Sequence, residues 1–177
     1  ITVALLAMSD FIRDYWYIII AVIVALTIGI KTFKKTKTGI YFFANLGVKM
    51  PAFGNLTIKT ASARFARTFS TMLSSGMPMI EAMEITAKTM DNQLFKDALN
   101  DCALQIQRGV PLTAPLKKSG LFPPLILHMV GIGEESGNLE EMLNNCATYF
   151  DEEVESATQQ VMSLMEPMII IVLAGIV

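Results

Sequence analysis

The sequence predicts an all-α protein, a six-helix antiparallel cytoplasmic bundle flanked by transmembrane helices. Apolar residues recur every three or four positions from 56 to 166, and no strand-like alternation of useful length interrupts them. Gly and Pro punctuate that stretch at helix-length intervals. An uncharged run precedes it and another follows it.

Residues 15–30 hold no charge: Tyr15, Trp16 and Tyr17 lead, and the apolar run stops at Lys31. Sixteen residues rise roughly 24 Å as a helix, and the flanks bridge the remainder of a bilayer core of about 30 Å. The aromatic residues suit one interface, and Lys31, Lys34, Lys35 and Lys37 snorkel to the other. Residues 1–14 are read as the end of an extracytoplasmic loop and 31–57 as a basic cytoplasmic linker.

Residues 58–166 form the predicted domain. Ile58, Ala61, Phe65, Phe69 and Met72 make the apolar stripe of the first helix, which stops at Gly76. Pro78 suits the first turn of the second, which carries Ile80, Met83 and Ala87. The third opens at Asp91 or Asn92, aligns Phe95, Leu99, Cys102 and Ile106, and ends at Gly109. A short fourth helix over 112–118 closes at Gly120. Pro123 and Pro124 start the fifth, which runs to about Ser136 before Gly137. Asn138 with Glu141 resembles a capping box at the head of a long sixth helix. With no breaker before Pro167, that helix is expected to carry into residues 167–177, the start of a truncated second span. Eleven residues reach only about 16 Å, half a bilayer.

Composition narrows the function. Hydrophobic residues are 53 % and charged ones 17 % of the 177, too apolar for disorder and too poor in charge for an ordinary soluble domain. Mean hydropathy is +0.48. Residues 31–80 hold eight bases and no acid, whereas 81–177 hold fourteen acids and five bases. Lysines just after the first run place that side in the cytoplasm, where Cys102 and Cys146 stay reduced. A single histidine, His128, excludes a His-rich metal site, and it is expected to be partly buried and structural. No phosphate-binding loop is present, and the basic residues lie beside an apolar run, which fits membrane lipid and not nucleic acid. The acids Asp151, Glu152, Glu153 and Glu155 read as a solvated helix face. No cofactor, metal or catalytic residue is expected. The competing readings are a membrane-bound hydrolase using His128 and nearby acids, and a transporter subunit.

Three segments together resemble one family. The first is Ala63-Arg64-Phe65-Ala66-Arg67-Thr68 with Ser74-Ser75-Gly76-Met77-Pro78 and Glu81-Ala82-Met83-Glu84-Ile85-Thr86. The second is Ser119-Gly120-Leu121-Phe122-Pro123-Pro124. The third is Val130-Gly131-Ile132-Gly133-Glu134-Glu135-Ser136-Gly137-Asn138-Leu139, followed by Met142-Leu143 and Phe150-Asp151-Glu152-Glu153-Val154. Jointly they are similar to the type II secretion system F domain, the GspF/PilC family of inner-membrane platform proteins.

The resemblance implies a non-enzymatic protein with two such cytoplasmic domains in tandem, of which this chain is similar to the second. It implies type IV pilus assembly, type II secretion or a competence pseudopilus. The implied partners are a hexameric assembly ATPase, pilin or pseudopilin subunits, other inner-membrane assembly proteins and a second copy of the chain. The expected partner contacts are Arg64, Arg67, Ser75, Gly76, Pro78, Glu134, Glu135, Gly137 and Asn138. Pro115 departs from the helix former more usual in the family and is expected to shorten or kink the fourth helix.

Overall fold

The computed structural model describes residues 36–50 and 53–176. The expected first span (15–30), the loop before it, and Lys31, Lys34 and Lys35 lie outside the described residues. The chain divides into two compact units, Ile1–Phe43 and Ala44–Val177.

All regular structure among the described residues is helical: α1 (Lys37–Lys49), α2 (Phe53–Ser74), α3 (Met79–Thr89), α4 (Gln93–Gln107), α5 (Thr113–Ser119), α6 (Pro124–Ser136) and α7 (Leu139–Ile176). Within the stretch expected to be a basic linker stand α1 and the first residues of α2. The clustered lysines there mask a helical repeat of Ile40, Ala44, Gly47 and Val48.

The helix ends follow from local chemistry. Gly76 closes α2 at φ +79, with Gly76 N–H donating to Leu73 O at 2.9 Å and Met77 N–H to Met72 O at 3.2 Å. That paired pattern satisfies two terminal carbonyls and turns the chain sharply. Pro78, extended at ψ 139, then leads into α3. Asn92 caps α4 by accepting from Leu94 N–H at 2.9 Å. Pro115 lies buried in the first turn of the seven-residue α5. An N–H there has no intrahelical acceptor, so the ring is accommodated.

One apolar core joins α2 to α7. Phe65, Phe69, Phe95, Leu99, Leu116, Ile126, Val130 and Leu143 are fully buried within it. Phe122, from the connection between α5 and α6, bridges two elements: its ring centroid lies 5.0 Å from that of Phe65 on α2 and 5.3 Å from that of Phe95 on α4. Each such ring contributes about 1.5–3 kcal/mol by leaving water.

The helices α2 and α7 share the most extensive packing. Lys59 pairs with Glu153, while Arg67 reaches Asn144 and Asp151, so the two helices run antiparallel. The turn after α2 and the turn before α7 therefore sit at one end of the pair. At the other end α2 begins and α7 continues past Ala157 to Ile176.

Candidate partner-contact surface

The basic face of α2 is largely engaged within the chain. Arg64 pairs with Asp91 and donates to the Thr89 carbonyl at 3.0 Å. Arg67 donates to Asn144 Oδ1 at 2.8 Å and Asp151 Oδ2 at 2.7 Å. Lys59 pairs with Glu153. The side chains of Arg64 and Arg67 still keep 38 % and 45 % of their surface exposed. The opposite charges of the two sequence halves thus meet inside one domain. The Lys59 ammonium, by hydrogen bond and by charge, holds the Glu153 carboxyl below its ordinary value, and a bond from Tyr149 acts the same way. Glu152 and Glu155 are exposed, as a solvated face requires.

The two turns at the shared end hold most of the remaining expected contacts. Ser75 Oγ donates to the Met72 carbonyl at 2.7 Å, beside Gly76 and Pro78. Gly137 takes φ +70 and closes α6, and the Asn138 amide meets the Glu141 carboxylate at the start of α7. Gly133 has a packing reason of its own. A Cβ there would lie 2.8 Å from Leu139 Cα, so only glycine lets the end of α6 approach the start of α7 this closely.

Glu134 and Glu135 separate in role. The Glu134 carboxylate accepts from Thr113 N–H at 2.9 Å, and also from Leu112 N–H and the Thr113 hydroxyl. It caps α5 from a neighbouring helix, a role the sequence reading missed. Glu135 is exposed and lines an open groove with Lys117, Leu127, His128, Gly131 and Ile132.

His128 is exposed, not partly buried as expected. The buried face of α6 is Ile126, Val130 and Gly133, and a residue two places after Ile126 falls on the opposite side. Its groove contains none of the acids at 151–155, two of which are committed to α2. Burial, then the negative charge of Asp101, pushes the Cys102 thiol up to about 12. Burial pushes Cys146 up to about 11, so both remain poor nucleophiles.

Residues 65–177 match the family described as Type II secretion system (T2SS), protein F. The chain belongs to that family. A type IV pilus assembly protein PilC of Thermus thermophilus is 37 % identical over 98 % of this chain and 43 % of its own length. The PilC of Myxococcus xanthus is 33 % identical over 96 % of this chain and 40 % of itself. A type II secretion system protein F of Vibrio cholerae is 33 % identical over 98 % and 43 %. The chain thus spans less than half the length of these relatives. Within the T2SSF match fall both turns, the Glu134 cap and all of α7.

The last part of α7 is apolar and uncovered, with Ile169, Ile170, Ile171 and Leu173 exposed. Among the described residues, no helix is long and apolar enough to cross a membrane.

Proposed function

We propose that this chain is part of an inner-membrane platform protein of type IV pilus assembly or type II secretion. It couples a hexameric cytoplasmic ATPase to the addition of pilin or pseudopilin subunits, and it is not an enzyme. The observation that carries this reading is the T2SSF match over residues 65–177, with relatives named for both systems.

In this reading α2 to α7 constitute the six-helix antiparallel cytoplasmic bundle. Residues 15–30 and the segment beginning at 167 are membrane spans. The lysines after residue 30 and the exposed isoleucines of α7 support that topology. The turns at 75–78 and 137–138 stand at the end of the α2/α7 pair away from the apolar segment, which favours them as the face presented to a cytoplasmic motor. Glu135 lies beside that end, and the exposed edges of Arg64 and Arg67, partway along α2, are further candidate contacts. Membrane lipid, other inner-membrane assembly proteins and a second copy of the chain complete the partners.

The test is a pull-down of the cognate ATPase by the detergent-solubilised full-length protein. Glu135→Lys, at an exposed side chain, weakens capture at least several-fold while the unfolding midpoint stays put. Undiminished capture by a folded variant removes the turn end from the contact.

A further inference from the structure

We propose that α1 is an interfacial helix whose outer face rests on the headgroup layer of an anionic bilayer, an inference that rests on reading residues 15–30 as a membrane span. Its inner residues recur at three and four places: Ile40, Phe43, Ala44, Gly47 and Val48. Val48 packs against the apolar core, and Asn92 Nδ2 donates to the Ala44 carbonyl at 3.0 Å, which holds this part of α1 in place.

The outer face is what a water-facing helix does not carry. Tyr41, Phe42, Leu46 and Met50 are 47 %, 58 %, 41 % and 40 % exposed. At 100° per residue they fall within one half of the helix, with Asn45 and Lys49 among them. An exposed helix of a soluble domain places charge there, and α1 places mainly aromatic and aliphatic carbon.

Charge identifies the occupant. No acid stands between residues 15 and 80, while Lys31, Lys34, Lys35 and Lys37 precede or open the helix and Lys49 closes it. Anionic lipid phosphates complement that set, Tyr and Phe settle at headgroup level, and lysine stems reach past them to water. The tether is also short. The helix opens seven residues after Ile30, a reach of at most roughly 25 Å even when extended.

The experiment places spin labels at Phe42→Cys and Leu46→Cys in the full chain. It is reconstituted in phosphatidylcholine vesicles with and without phosphatidylglycerol. Ile23→Cys reports the span and the exposed Ser136→Cys reports water. In the anionic vesicles, collisions of both α1 labels with a water-soluble nickel chelate fall several-fold below those at position 136, and oxygen collisions rise. In phosphatidylcholine alone the effect shrinks.

If positions 42 and 46 match 136 while 23 reads as lipid, the span stands and the inference falls. Labels shielded from both relaxants indicate a protein cover and overturn it too. Equal burial in both lipids overturns the choice of anionic headgroups. A label at 23 that meets water removes the span itself, and the inference with it.

Discussion

On the first part of α7, Leu143, Cys146, Ala147, Phe150 and Ala157 are buried against the rest of the domain. On the last part, Met162, Met165, Ile169, Ile170, Ile171 and Leu173 are 50–70 % exposed. One helix thus carries two hydrophobic patterns. The first is a buried stripe rimmed by Asp151 and Glu153, which pair with α2, and backed by the exposed Glu152 and Glu155, so the helix has water on one side and a core on the other. The second has no acid after Glu166 and leaves its described isoleucines and Leu173 exposed. The same residue types therefore stabilise the fold in one half and leave it indifferent in the other.

The largest test of that contrast is a pair of truncations. Phe150→Ala costs about 3–5 kcal/mol of unfolding free energy because it empties a filled core site. Ile170→Ala stays within about 0.5 kcal/mol. Chemical denaturation of the detergent-solubilised protein measures both, and equal losses would break the comparison.

A smaller effect sharpens it at the start of the covered half. Gly133→Ala drives a methyl against Leu139 and costs about 1–3 kcal/mol, read in the same titration. An unchanged midpoint would mean that α6 and α7 do not approach closely.

The smallest concerns the polar rim. Glu153 binds its proton less readily folded than unfolded, so its contribution is present above the ordinary carboxyl value of 4.5 and is lost as pH falls through the lowered folded value. Lys59→Met abolishes this, and thermal melts below pH 4.5 then show a shallower acid slope than the parent. Because Glu153 is open to solvent, added salt should shrink the difference.

Helix ends were the most legible feature of the sequence, because a turn is written by its own residues. Gly76, Gly120 and Gly137 take left-handed conformations at the stops read from the sequence. Core positions such as Phe65, Phe95 and Leu99 were legible through their spacing. Pairings across the fold were not. Glu134 caps Thr113 from 21 residues away, and Arg67 meets Asp151 across 84, distances at which local pattern is silent. His128 misled because an apolar neighbourhood in sequence says nothing about which side of a helix a residue occupies. Family membership rested on several short motifs read together, and no single one of them would have carried it.

Between Leu139 and Pro167 the backbone of α7 meets no proline and no glycine. That stretch is a stiff rod of about 42 Å. Any tug applied at its head arrives almost undiminished at the proline, the first joint able to flex, and from there enters the apolar tail.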